Sequence, residues 1–428
     1  MNIPIPTGTF DILPFDSKEE WRSAHLWAYV EKIARKLAQA YGYEEIRTPL
    51  FERTELFQRS VGDTSDIVSK EMYIFEDKGG RLLSLRPEGT ASVIRSFVEK
   101  KLHTVQAMHR LFYIGPMFRY ERPQSGRFRQ HHQFGVEMIG SKEPISDAEV
   151  IGMLYALYEN LGLQNLTVNI NSLGDKETRA IFREALRDYL RPHLAQLSEE
   201  SQARFELNPL RIFDSKNEQD KEIVKNAPTI VQHLNAECAD HFQSVCALLG
   251  QLKIPYVVNA SLVRGLDYYT KTVFEITAGE LGAQNTIGAG GRYDGLLKQL
   301  GGPDLPSIGF ATGIERIIQT MLKQQVPMPV RKRPDVYFIA LGEEAQNWCF
   351  ICAQKLRKNG VVCLQDMSGK KLKQAMQLAN DARAEYTIVL GDREIQEGIC
   401  ELKEMDSGKT TKIALAEVPL FFQTRNKV

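Results

Sequence analysis

One segment limits the folds open to this chain more than any other. Between Phe118 and Glu137 the sequence reads Phe-Arg-Tyr-Glu-Arg-Pro-Gln-Ser-Gly-Arg-Phe-Arg-Gln-His-His-Gln-Phe-Gly-Val-Glu. The loop Arg122-Pro-Gln-Ser-Gly126 has turn chemistry throughout, and it separates two runs that read as strands over 109–122 and 128–140. Successive side chains of a strand point to opposite faces. Arg119 and Glu121 therefore share one face, with Arg129, Gln133 and Glu137 at matching parity on the next strand unless a bulge intervenes. Phe118, Phe134 and Val136 face the other way. The expectation is an antiparallel sheet with one buried face and one polar face of mixed sign. Arg119, Arg122, Arg127 and Arg129 crowd a single nearby acid, Glu121. The plain alternative is a solvated basic loop. The guanidinium fork, always charged and able to grip two oxygens, makes phosphate binding the sharper one.

The surrounding pattern is mixed. Leu26, Val30, Ile33, Leu37 and Tyr41 recur at helical spacing over 17–41, with Ser17-x-x-Glu20 as a capping box and Gly42 after the end. A short strand, 43–49, stops at Pro49. Residues 72–86 read as a hairpin about Asp77-Lys-Gly-Gly80, and 88–102 as a helix. From about 175 to 252 the chain turns rich in Glu, Lys, Gln, Ala and Leu, which reads as a helical insertion. Strand, glycine turn and helix return over 255–320. A proline and basic linker follows over 323–334. Beyond it strands 335–341, 361–365 and 386–390 alternate with helices 343–358 and 370–383, and two shorter strands follow. This is a small α/β unit with a largely parallel sheet.

At 428 residues the chain has room for two to four domains. Its 54 basic and 54 acidic residues cancel, so composition alone speaks against a non-specific polyanion binder. No run approaches the ~20 apolar residues of a membrane span. The N-terminus, Met-Asn-Ile-Pro-Ile-Pro, lacks a signal-peptide pattern. Six cysteines, none before Cys238, provide no disulfide framework. A cytoplasmic protein without a membrane partner is expected.

Several familiar motifs are absent. Gly408-Lys-Thr410 lacks the first phosphate-loop glycine, because position 403 is lysine, and reads as a hairpin turn. Gly288-x-Gly290-Gly291 lacks the third dinucleotide glycine, because position 293 is tyrosine. Cys349-x-x-Cys352 has no second pair at metal spacing and lies in a helix. His131 and His132 point to opposite strand faces, and no protein side chain is assigned to a metal. Three further polar clusters break apolar contexts. They are Arg86-Pro-Glu88-Gly-Thr90, Arg264-Gly-Leu-Asp-Tyr-Tyr-Thr270 and Gly309-Phe-Ala-Thr-Gly-Ile-Glu-Arg316. Each alone can be an ordinary turn. Together they describe a site built from several segments, with arginines for phosphates and carboxylates for a cation.

These segments resemble those of the class II aminoacyl-tRNA synthetases, and within them the histidyl-tRNA synthetase family. The helix 17–41 with the strand ending at Pro49 looks like the dimer-interface motif 1, Phe118–Glu137 like motif 2, and Gly309–Arg316 like motif 3. Leu262–Tyr269 and Gly290–Asp294 resemble segments characteristic of the histidine family. The resemblance implies an α+β fold, with an antiparallel sheet flanked by helices as catalytic domain over 1–322. It also implies the helical insertion, and a C-terminal α/β anticodon-binding domain over 335–428. It implies ATP-dependent activation of L-histidine to histidyl-adenylate, transfer to the 3' end of the cognate tRNA, Mg²⁺ with the ATP, and a homodimer. Arg119 and Arg264 would act on the α-phosphate, and Arg127 and Arg316 on the outer phosphates. Glu121 would bind the adenine amino group. Glu88, Thr90 and Gln133 would take the α-amino group of histidine. Glu137 and Tyr269 would take its imidazole, with Tyr268 close by. Arg122 and Gln124 would approach the acceptor end of the tRNA. Position 131, where the family pattern carries an adenine-stacking phenylalanine, is histidine. A non-charging synthetase-like regulatory subunit of histidine biosynthesis is the alternative. The retained arginines and the C-terminal region count against it.

Overall fold

In the computed structural model the strands His109–Phe118 and Gln130–Ile139 are neighbours in an eight-stranded sheet, and its two faces have different fates. Residues 3–62, 65, 67–122, 126–263, 266–279 and 285–425 are described. The chain divides into two units, at Pro329/Val330.

In the larger unit the strands are β1 (Glu44–Glu45), β2 (Phe51–Arg53), β3 (Ile74–Glu76), β4 (Leu82–Leu85), β5 (His109–Phe118), β6 (Gln130–Ile139), β7 (Leu166–Ser172), β8 (Tyr256–Val258), β9 (Thr270–Ala278), β10 (Thr286–Arg292) and β11 (Ser307–Gly313). The main sheet runs β1-β5-β6-β11-β10-β9-β7-β8. Its inner strand pairs are antiparallel, and only the two edge strands pair in parallel. β2, β4 and β3 form a separate small sheet.

The period-two pattern of β6 survives intact. Phe134, Val136 and Met138 point into a core shared with Phe310, Phe274 and Ile276. The helices Ala24–Ala40, Pro144–Asn160, Ala236–Gln251 and Ile314–Lys323 cover that face. The first contributes Leu26, Trp27, Val30, Ala34 and Leu37, each large apolar side chain worth roughly 1.5–3 kcal/mol on full burial. This helix starts at Ala24, after a short turn at Glu20–Arg22. The Ser17 capping box does not form. Instead Asp16 Oδ1 accepts the backbone N–H groups of Lys18 and Glu19 at 2.9 and 3.0 Å. The strand read over 43–49 shrinks to β1, and the hairpin strands end at Phe118 and begin at Gln130.

A fully buried ion network ties this core together. Arg292 Nε donates to Asp147 Oδ1 at 3.1 Å, and His241 Nε2 lies 2.9 Å from Asp147 Oδ2. Burial alone would raise the Asp147 carboxyl, but Arg292 and His241 more than reverse this and hold it below its ordinary value.

Between β7 and β8 lie the helices Lys176–Leu190, Glu199–Leu207, Glu218–Val224 and Ala236–Gln251. Phe182, Leu186, Leu190, Phe205 and Ile212 join the second core, on the opposite face of the main sheet. Asp220 knits the helices by accepting from the hydroxyls of Ser198, Ser201 and Ser215, each at 2.6 Å. Burial opposes its charge, but these donors outweigh it and hold the carboxyl at about 2.

The smaller unit contains β12 (Val336–Leu341), β13 (Cys363–Gln365), β14 (Tyr386–Gly391), β15 (Ile399–Glu404) and β16 (Thr410–Ala414), ordered β13-β12-β14-β15-β16. The first three in that order pair in parallel, as a β-α-β-α-β pattern requires; β15 and β16 add on antiparallel. Its core includes Phe338, Ile388, Leu390 and the thiols of Cys349, Cys352, Cys363 and Cys400. Gly408 turns the last hairpin at φ 70°.

Candidate active site

The second face of the main sheet, the one carrying the odd-numbered residues of β6, floors a cavity of about 380 Å³. Small residues at Ala289, Gly309 and Ala311 leave its space open. Two glycines are required by close approach. A Cβ on Gly309 would stand 2.1 Å from Glu137 Oε2, and one on Gly291 would stand 2.9 Å from the Tyr269 ring.

One end of the cavity is built from carboxyls and phenols. Glu88 precedes the helix Thr90–Glu99 and caps it, accepting the N–H groups of Thr90 and Ala91 at 2.6 and 2.8 Å. The side chain of Thr90 donates to Glu137 Oε1 at 2.7 Å. Tyr293 donates to Glu137 Oε2. Glu137 has no exposed surface and lies beneath the cavity lining, with Tyr113 also close to it. Burial pushes its carboxyl up to about 8, and the neighbouring Glu88 adds to the rise. Burial raises Glu88 as well, against the two backbone N–H groups that favour its charge. Tyr268 and Tyr269 close this end, their rings 4.8 Å apart, and Tyr268 meets Tyr293 edge-on at 5.6 Å. Gln133 Oε1, also at the lining, is buried without a hydrogen-bond partner. Two buried acids beside an open acceptor favour a cation.

The other end carries the arginines, with acids beside them. Arg127 Nη1 lies 3.0 Å from Glu121 Oε2. Arg316 enters from the helix Ile314–Lys323 and donates to the carbonyl of Thr286 at 2.6 Å. Burial, followed by the charge of Arg127, lowers the Arg316 guanidinium from its ordinary value. That is the field an anion would relieve. Arg119 stands between the two ends. Its Nε donates to the Pro87 carbonyl at 2.9 Å, its Nη1 lies 3.9 Å from Glu121, and its charge acts on Glu88. His131 lines the same cavity, and its ring is held neutral. Burial, followed by the charges of Arg119, His132 and Arg316, drives it down to about 3.

Glu88, Thr90, Arg119, Glu121, Arg127, Gln133, Tyr268, Tyr269 and Arg316 thus line one cavity, with Glu137 just below. Arg122 is exposed and does not line it. Arg264 and Gln124 lie outside the described residues. Arg129, at the parity of the site, instead lies over the Tyr120 ring, 3.9 Å from its centre. Sequence reasoning gave no role to Tyr113, Tyr293 or Glu275, all at the lining. Alternation along β5 could have found Tyr113. Glu275, a lone acid within Val273-Phe-Glu-Ile, carried a similar signal.

A family model described as histidyl-tRNA synthetase matches residues 21–317, and one described as anticodon binding domain matches 335–425. The chain belongs to the histidyl-tRNA synthetase family. Its family relatives include a histidine–tRNA ligase of Protochlamydia amoebophila (strain UWE25), 59% identical over 98% of this chain and 99% of that protein. Another, from Desulforamulus reducens (strain ATCC BAA-1160 / DSM 100696 / MI-1), is 46% identical over 98% of this chain and 99% of that protein. The crystal structure of apo S. aureus histidyl-tRNA synthetase superposes with a TM-score of 0.83 at 36% identity, over 99% of this chain and 100% of that one. A Bacillus halodurans C chain described as an ATP phosphoribosyltransferase regulatory subunit/histidyl-tRNA synthetase shares the fold alone. Its TM-score is 0.64 at 22% identity, over 91% of this chain and 99% of that chain. The α+β architecture with an antiparallel-rich sheet and a C-terminal anticodon-binding unit is that of the histidyl-tRNA synthetase family.

Proposed function

We propose that this chain activates L-histidine with ATP and transfers it to the 3' end of its cognate tRNA. The observation that carries this reading is the polarity of the cavity. Glu88, Glu137 and the phenols occupy one end, Arg127 and Arg316 with Glu121 and Glu275 beside them the other, and Arg119 the junction. An amino acid and a triphosphate laid end to end meet at Arg119.

In the first step a carboxylate oxygen of histidine attacks the α-phosphorus, and the bond to pyrophosphate breaks. In the second, the terminal ribose hydroxyl of the tRNA attacks the carbonyl carbon and AMP leaves. Neither step needs an enzyme nucleophile, so positioning and charge stabilisation do the catalytic work. Arg119 and, by the family pattern, Arg264 meet the α-phosphate. Arg127 and Arg316 hold the outer phosphates, and Glu121 takes the adenine amino group. Glu88, Thr90 and Gln133 hold the α-ammonium. Glu137 and Tyr269 reach the imidazole nitrogens beside Tyr268. The bonds from Thr90 and Tyr293 use only part of the hydrogen-bonding capacity of the Glu137 carboxyl, so it can still take a further partner.

Among the described residues no group of three or more His, Cys, Asp or Glu could hold a metal ion. Mg²⁺ would be carried mainly by phosphate oxygens, which needs only one or two protein carboxylates. Glu275, at the lining, is positioned to be one of them. The ion would neutralise charge on the outer phosphates.

Residues 1–322 would form the catalytic domain, with an insertion at about 175–252. Residues 323–334 would be the linker, and 335–428 would bind the anticodon. Arg122 and Gln124 would meet the acceptor end. A homodimer is supported by Leu50, Phe51, Ile74, Phe75 and Leu82, large apolar side chains left exposed at the small sheet. A cytoplasmic location is favoured by six free cysteines, most of them buried. The match of the anticodon-binding model to 335–425 favours charging over a regulatory role.

Pyrophosphate exchange with each of the twenty amino acids, followed by charging of tRNA, tests the reading. Histidine alone should support both. Exchange with another amino acid, or exchange without charging, would overturn it.

A further inference from the structure

The segment that carries Tyr268 and Tyr269 is not held by the catalytic sheet alone. β7 and the start of β9 pair at Ser172 and Thr272, and backbone bonds continue beyond it: Leu173 N–H donates to the Lys271 carbonyl and Lys271 N–H to the Gly174 carbonyl, each at 2.7 Å. The chain then turns at Gly174, whose φ of 59° suits glycine, and Asp175 caps the helix Lys176–Leu190. The helix therefore starts at a fixed place relative to Tyr269. From its first turn Arg179 reaches back, and Nη1 donates to the Tyr269 carbonyl at 3.0 Å. From the turn Pro209–Asp214 of the same insertion, Arg211 Nη2 lies 3.2 Å from Asp267 Oδ1. Between these contacts lies a second cavity of about 190 Å³, lined by Arg179, Arg183, Arg211, Leu266 and Asp267 among others. Leu266 lines this cavity and the active-site cavity alike, so the segment is the partition between them.

We propose that Arg179 is a positioning residue for histidine recognition, through which the helical insertion sets the place of Tyr268 and Tyr269. The proposal rests on the reading of Tyr269 as a histidine contact. Arg179 touches no reacting atom. Burial and the nearby Arg183 both disfavour its charge, so its bond to the Tyr269 carbonyl offsets a cost rather than decorating an exposed surface. Its effect is on one substrate only, because nothing in the contact reaches the arginine end of the cavity.

The test is steady-state pyrophosphate exchange on the full-length enzyme, titrating histidine and ATP separately. Arg179→Met keeps the aliphatic stem and removes the donors. It should raise the histidine KM about tenfold, in line with one charge-assisted hydrogen bond, and leave the ATP KM within about twofold. Arg179→Lys restores one donor and should recover most of the loss. Thermal melts of both variants, alongside the ATP KM, report on folding. An unchanged histidine KM in Arg179→Met overturns the proposal. So does an equal rise in both KM values, or no recovery in Arg179→Lys. Tyr269→Phe decides the underlying reading separately. If it leaves the histidine KM unchanged while Arg179→Met raises it, the phenol is not the contact, but the positioning of the segment stands.

Discussion

Glu137 and Tyr293 share a hydrogen bond beneath the floor of the cavity, with the phenol as donor and the fully buried carboxyl as acceptor. The carboxyl is pushed up to about 8 from an ordinary 4.5, chiefly by burial. The pH dependence follows directly. Below the unfolded value both states are protonated. Between that value and about 8 the unfolded chain gives up its proton while the folded one keeps it, so stability is lost as pH rises. Glu137→Gln removes the titration. Its thermal midpoint should gain on that of the unaltered protein by several degrees between pH 5 and pH 8. Melting curves that shift in parallel over this range would contradict the assignment. The same substitution should raise the histidine KM tenfold or more.

His131 stands where the family pattern has phenylalanine, and its ring is driven down to about 3. A neutral, planar ring can do the stacking work of phenylalanine. His131→Phe should therefore leave the ATP KM within about threefold, with the same dependence on pH between 6 and 8. A change in the shape of that profile would show that the imidazole titrates in the working range.

The core around Phe338, Ile388 and Cys349 is confined to the smaller unit. A chain ending at Pro329 should keep histidine-dependent pyrophosphate exchange within about threefold. It should lose at least tenfold in the rate of tRNA charging. Unimpaired charging would refute the anticodon-binding role of the second unit.

Phe51 and Phe75 meet edge-on at 6.2 Å on the small sheet, and both are exposed. Phe75→Asp places a charge in that apolar surface. Sedimentation should show a dimer for the unaltered protein and a shift toward monomer for the variant. Two identical profiles would move the interface elsewhere.

The alternation of β5 and β6 made the sheet and most of its cavity residues legible, because period two reports directly which face a side chain takes. Arg316 and Glu88 were found through the turns that open their helices. The partners of Glu137 were not legible. Tyr293 lies more than a hundred residues away in sequence, and only the sheet order brings it close. Arg129 shows the converse. Its parity is right, yet Tyr120 offers a ring that captures it. Ser17-x-x-Glu20 satisfied the local capping pattern, yet the helix opens only at Ala24 and Asp16 takes the nearby N–H groups of Lys18 and Glu19 in a local turn.

On β6, Phe134, Val136 and Met138 point into the core, while His131, Gln133 and Glu137 face the cavity side, and the two sets differ by a single residue of register. A slip of one position would send Glu137 into the oily interior and Val136 to the substrate. This strand therefore has no misfolded but competent form. Any proofreading of the fold, by chaperone or protease, is at the same time proofreading of the catalyst.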